Sequence, residues 1–498
     1  MSLAPTWPTL RGWLIIAFCL SGLCSGAALA NTTSVTIDRQ ILPPHLDPTR
    51  TASASTAEVT HMNVFQGLTR IDQHAQLSPA LATDWQLSED GLTLTFQLRE
   101  DAEFHDRRPF DAEVAAFSLL RLLDPASGNP QRQLYEVIED VSVEDTYRLR
   151  LQLSRPDALL PFRLALSAAV MVHPDSAATN DKAPVGTGPY QVLPWAGEAV
   201  SLTHFPHYWG PTPAIRDATF TFTANRFELE HSLSVGNVDL HADASPLPSH
   251  LQLALRGDYS ILKGSSEGEV ILALNHAHPA LADRRVRRAL SHAIDKQALL
   301  SIYADTTPSL IGSHFSPHHP AYVDLVDYYP YDPERARQLL AEAGYTDGLE
   351  LQLSLPPPIY AERGGLFIAH DLEAIGIRVS LERLGWAEWL DQVFTRKEYD
   401  LTLVSHVEPF DIDIYARPDY YFNYANETFQ TLWAQIERTQ ETEQRHRLLA
   451  EAQQLLAEDA ANVFLYMKPQ HSIHRTGLQG VWRNTPIPAV VLEDMYWE

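Results

Sequence analysis

Single alternation of apolar and polar residues over 92–100 (LTLTFQLRE) and 147–154 (YRLRLQLS) predicts two half-buried strands. Between them, residues 111–124 (DAEVAAFSLLRLLD) predict a helix. Asp111 is its N-cap, and Phe117, Leu120 and Leu123 recur on one face. An earlier strand is expected over 34–40. A turn-rich passage over 184–195, punctuated by Gly186, Gly188 and Pro189, precedes another. A second block starts near residue 268. It opens with a strand over 269–276, an amphipathic helix over 283–303 and a long irregular loop over 313–332. Asp332-Pro333 then starts a helix in cap-then-proline style, stopped at Ala343-Gly344. Beyond it lie a strand over 349–358, a helix over 360–377, strands over 378–386 and 399–406, and one or two helices over 426–459. A last strand is expected over 462–475. Strands and helices interleave in both halves, which makes the chain α/β.

The first thirty residues depart from this pattern. Arg11 is their only charge, residues 12–24 are apolar but too short to span a bilayer, and Ala28-Leu29-Ala30 is an A-x-A site. An export signal cleaved after Ala30 is expected, with a periplasmic mature protein. Both cysteines, Cys19 and Cys24, fall inside it, so the mature chain has no disulfide, thiol nucleophile or thiolate metal site. No later stretch of about twenty apolar residues follows. The formal charge is -26, more negative still once Arg11 is gone. Such a surface argues against nucleic acid as a partner and serves solubility.

Catalytic signatures are missing. There is no G-x-S-x-G elbow, no H-E-x-x-H and no phosphate-binding P-loop. GTGPYQ lacks the glycine spacing of a dinucleotide fingerprint. His314, His318 and His319 in SHFSPHHP invite a metal reading, but without ligand spacing they are taken as a cleft-rim loop, and no metal site or cofactor is assigned. The chain reads as a non-enzyme.

Six phrases carry a resemblance: NVFQGLTRID at 63–72, DGLTLTFQLREDAEFHD at 90–106, PVGTGPYQV at 184–192, HYWG at 207–210, DRRVRRALSHAID at 283–295 and DPERARQLLAEAGY at 332–345. In this order they resemble the periplasmic oligopeptide- and dipeptide-binding proteins of ABC importers, extracellular solute-binding family five. One departure is local: Arg107 and Arg108 stand where the family has a glycine-led turn. The resemblance implies a two-lobed periplasmic binding protein fold of type II, with an extra subdomain in the first lobe and a hinge. Lobe I would cover 31–267, with the subdomain at about 69–165, and be completed by 470–498. Lobe II would cover 268–469. The implied function is capture of a short peptide or related solute between the lobes, as a monomer, for delivery to an inner-membrane permease and its ATPase subunits. A non-peptide solute (opine, sugar phosphate, metal or haem) and a chemosensory role stay open.

The same resemblance implies site residues. Ala52, Ser53, Ala54 and Ser55, with Thr56, would pair with a ligand backbone, and Trp386 would line the cleft. A peptide amine would meet an acid just after the strand 399–406. The usual aspartate phrase is absent there; Ser405 and His406 are followed by Glu408, with Asp411 as second choice. Residues 405–424 also gather Tyr415, Tyr420, Tyr421, Phe422 and Tyr424 around Arg417, which suits a small-molecule wall with a carboxylate- or phosphate-binding cation.

Overall fold

The long run Glu269–Leu274 is apolar after its first residue because both of its faces are buried. Val270, Leu272 and Leu274 enter one core with Leu290, Leu353, Ile368 and Leu403. Ile271 and Ala273 enter another with Tyr415, Phe422, Phe429 and Phe464. A period of two with both faces covered gives a strand without visible alternation. The structure is a computed structural model describing residues 33–243, 248–302 and 309–498. The expected export signal and its cleavage after Ala30 lie outside these residues.

A ten-stranded mixed sheet organises both halves of the chain. Its order is Ile377–Arg383, Leu349–Leu355, Leu401–His406, Tyr259–Leu274, Val463–Arg475, Leu240–Asp243, Ser34–Arg39, Asp217–Phe222, Val200–His204 and Tyr190–Val192. The two long central strands, Tyr259–Leu274 and Val463–Arg475, run antiparallel. One end of this pair meets Leu401–His406, and the other meets Leu240–Asp243 through His471–His474. The late strand therefore does return to the first block. Between Ser265 and Glu269 the two long strands lose register. Such an irregularity frees backbone and bends the strand locally.

A separate antiparallel sheet, in the order Ala82–Leu87, Thr93–Leu98, Arg148–Leu153 and Ile138–Asp145, is packed by the helix Ala112–Leu123. Asp111 caps that helix, its side chain accepting from Val114 N at 3.0 Å. The buried face differs from the sequence expectation: Ala115, Leu119 and Leu122 face the sheet, while Leu120 is 53% exposed. The spacing 115/119/122 tracks a helical turn of 3.6 residues, whereas 117/120/123 drifts around the helix. The expected helix over 283–303 also breaks. It runs Arg284–Ala293, and Asp295 then caps a fresh turn through Ala298 N.

The sequence phrases converge in space. Gly188 N donates to Val64 O and Tyr190 N to Asn63 O, each at 2.9 Å, and His105 N donates to Gly186 O at 2.9 Å. Gln66 Oε1 accepts from Trp209 Nε1 at 2.9 Å and Thr187 Oγ1 at 3.1 Å. Arg99 lies 3.6 Å over the Trp209 ring. NVFQG, LREDAEFHD, GTGPY and HYWG thus make one knot beneath the first half of the large sheet. Its members serve packing.

The turn lacking glycine is nevertheless built. Arg107 adopts φ 73, a left-handed conformation, and its N–H donates to Phe104 O at 2.8 Å. Its guanidinium meets Glu103 at 2.6 Å on the surface, too exposed to offset much strain. Arg107→Gly is expected to raise the unfolding free energy by about 0.5 kcal/mol, the relieved strain exceeding glycine's entropy cost. Urea unfolding midpoints check this; an equal loss would assign the stability to the ion pair instead.

Candidate functional site

A cavity of about 330 Å³ opens where the two long strands lose register. Ser266, Glu267 and Gly268 form one wall and Lys468–Gln470 the next. Gly268 is needed there: a Cβ would sit 2.9 Å from Lys468 Cβ and 3.0 Å from Ser405 Oγ. The tail 481–491 closes a third side. It is held by a Thr485 N–H bond to Ser265 O at 3.2 Å and by an Asn484 side chain accepting from Ser265 N at 3.3 Å. Ala54, Ser55, Glu58, Arg39 and Val407 complete the lining.

Two acids face this space, and they differ. Glu58 is paired with Arg39, whose Nη1 also donates to Ala242 O at 2.7 Å. Glu267 is 6% exposed and accepts from Ser316 Oγ at 3.0 Å. Among the described residues it has no ion-pair partner. Burial, followed by the neighbouring Glu269 charge, pushes its carboxyl up to about 8.

Behind Glu267 lies a buried polar cluster. Cross-strand pairing sets Glu269 opposite His406. His314 Nε2 lies 2.7 Å from both Glu269 Oε2 and Asp411 Oδ1. His406 Nδ1 is 3.0 Å from Asp411 Oδ2, and its Nε2 is 2.9 Å from the Tyr421 hydroxyl. Burial alone would lower His314, but Glu269 and Asp411 outweigh it and push the imidazole up to about 10. Burial acts the other way on Asp411, whose two histidine neighbours hold it well below the usual carboxylate range.

The expected site residues divide. Ala54 and Ser55 line the cavity, but as the first turn of the helix Ala54–Thr60, with Ser53 at the N-cap and only Ala52 and Ser53 extended. An edge strand is therefore not what this segment offers. Ser405, next to last in its strand, donates its N–H to the Tyr360 hydroxyl at 2.8 Å and has a buried Oγ without a hydrogen-bond partner among the described residues. His406 and Asp411 sit in the buried cluster. Glu408 is exposed and accepts from Val407 N at 3.2 Å. Trp386 is 46% exposed, packs edge-on to Trp389 at 5.8 Å, and stands apart from the cavity. Arg417 pairs with Asp413 at the surface. Tyr415, Tyr421 and Phe422 are core residues, each at most 1% exposed, rather than a ligand-facing wall.

Three features escaped the sequence reading. Glu267 and Glu269 flank a glycine just before the apolar run 270–274, a visible anomaly. The run 484–489, NTPIPA, holds two prolines that cannot donate to a ladder and so favour an irregular wall. His314 belongs to a cluster assembled from distant segments, and no local spacing announces it.

Residues 76–433 match the model of the bacterial extracellular solute-binding proteins, family 5, middle region. The chain is 30% identical over 433 residues, 79% of each protein, to di/tripeptide-binding protein 2 of Pseudomonas aeruginosa (strain UCBPP-PA14). Its fold matches HbpA2 from Haemophilus parasuis with a TM-score of 0.84 at 21% identity, covering 93% of this chain and 100% of that one. It also matches the periplasmic binding protein DppA from Helicobacter pylori, solved with the peptide STSA, with a TM-score of 0.76 at 23% identity, covering 94% and 98%. The architecture is that of the two-lobed, type II periplasmic binding proteins.

Proposed function

We propose, for a chain that belongs to the bacterial extracellular solute-binding proteins of family 5, the capture of di- and tripeptides in the cavity at Glu267. The chain is a solute-binding component of an ABC importer. The finer reading rests on one observation: a small cavity in which an acid without an ion-pair partner among the described residues faces backbone released by the strand irregularity. Its volume is at the lower end for ligand pockets, suited to a few residues rather than a long peptide. Glu267 receives the ligand's ammonium group, and the backbone at 266–268 and 468–470 pairs with the peptide unit, which is blind to side chains. Ala54 and Ser55 present small side chains at a helix start, which suits the carboxyl end. The long strands crossing beside the cavity form the hinge. Lobe I is the first block with the tail 470–498 and lobe II is 268–469, and ligand held between them favours the closed form that the permease recognises. The protein acts outside the cytoplasmic membrane as a monomer, without catalysis.

Native mass spectrometry of the mature protein as purified, followed by denaturation, tests this. The expected release is a mixture of two- and three-residue peptides with varied side chains. A single defined non-peptide compound would replace the peptide reading while leaving the transport role.

A further inference from the structure

We infer that His314, His406 and Asp411, with Glu269 beside them, form a binding site for one divalent transition-metal ion, behind the ligand cavity and separate from it. The donor atoms of His314, His406 and Asp411 all lie within 4.8 Å of one another, and Glu269 Oε2 is 2.7 Å from His314 Nε2. Two imidazoles and a carboxylate, with a second carboxylate alongside, are a donor set that zinc and its neighbours accept.

Three observations distinguish this cluster from an ordinary buried ion pair. First, His314 Nε2 stands 2.7 Å from two carboxylate oxygens but carries at most one proton, so that single proton is shared between two acceptors. A cation bound among the three atoms would satisfy both oxygens. Second, each ring turns its other nitrogen to a tyrosine hydroxyl. His406 Nε2 lies 2.9 Å from Tyr421 and His314 Nδ1 lies 3.3 Å from Tyr415, which Asn462 Nδ2 anchors at 2.8 Å. Such outer partners fix tautomer and ring orientation at metal centres. Third, the four residues come from separate segments: the long strand, the loop after residue 309, the end of the strand Leu401–His406, and the turn Asp411–Ala416. Glu269, His314 and His406 are buried and the Asp411 side chain is 11% exposed, and a shared ion would tie these segments together. Glu267 and Val407, which line the cavity, adjoin Glu269 and His406 through one or no intervening residue and mark the way in. His318 and His319 take no part. His318 bonds to Ser265 Oγ, and His319 packs on Phe315 and His446.

The test uses the mature protein stripped with EDTA and then freed of chelator. Zn²⁺ is titrated calorimetrically, and Co²⁺ is added in parallel to read its visible absorption. One equivalent per chain is expected, with the intense bands of a low-coordinate cobalt site and a higher melting temperature in zinc. Tyr421→Phe, which keeps every ligand, is expected to weaken zinc binding about 10-fold, and His314→Gln to abolish it. His292→Gln, at a surface histidine, leaves the stoichiometry unchanged. Should zinc bind substoichiometrically, cobalt stay octahedral, and the melting temperature ignore both EDTA and zinc, the cluster is a proton-held ion network and the inference falls. Cobalt spectra of the unmutated protein keep the test decisive if His314→Gln fails to fold.

Discussion

Gly186→Ala lowers the unfolding free energy by about 3 kcal/mol, the upper end of what overpacking costs. The added Cβ would overlap the carbonyl oxygen of Val64 and approach its carbonyl carbon at 2.7 Å. Both are backbone atoms, and neither can swing aside as a side chain does. Moving them would stretch the Gly188 N–H bond to Val64 O and the Tyr190 N–H bond to Asn63 O. Gln66, which accepts from Trp209 and Thr187, would shift with them. Gly385→Ala is the control, because its nearest neighbour is Glu388 Oε2 at an ordinary 3.5 Å. Its effect should stay within about 0.5 kcal/mol. Urea unfolding followed by circular dichroism reads both. Equal midpoints for the two variants would mean that the knot relaxes freely.

This knot explains what was legible. Four of the six phrases that betrayed the family have side chains and glycines that meet one another over short distances, and the other two, 283–295 and 332–345, pack together in the core of the second block. Strand and helix order could be read because periodicity follows directly from which faces are buried. The buried face of Ala112–Leu123 was misassigned because a strict spacing of three, 117/120/123, drifts around a helix whose turn of 3.6 residues aligns 115/119/122 instead. The site was only half visible. Ala54 and Ser55 do reach the cavity. The acid expected after Leu401–His406 does not: Asp411 is held by two histidines, and Glu408 faces solvent. In the proposed reading Glu267 takes that place from another strand. Its position depends on a register shift between strands roughly 200 residues apart in sequence, which local pattern cannot reveal.

Glu267→Gln weakens dipeptide binding about 100-fold. An ammonium group meeting a buried carboxylate makes a charge-assisted bond, and removing one partner of such a pair costs roughly 3 kcal/mol, two orders of magnitude in Kd. The substitution keeps the shape and an oxygen to accept from Ser316, so the local structure persists. It also removes a carboxyl that burial disfavours as an anion, so the melting temperature of the empty protein should hold or rise. Loss of affinity without loss of stability separates an anchor from a structural acid. An Nα-acetylated dipeptide should bind the unmutated protein weakly and the variant no worse. Glu408→Gln, at the exposed acid, should leave affinity unchanged.

The most direct measurement is a calorimetric titration of the mature protein, unfolded and refolded to remove bound solute, with a dipeptide, its Nα-acetylated form and a nonapeptide. Capture of short peptides through their amine predicts one dipeptide per chain at micromolar Kd or tighter, with the other two at least about 100-fold weaker. Equal binding of the acetylated form, or preference for the nonapeptide, would contradict it.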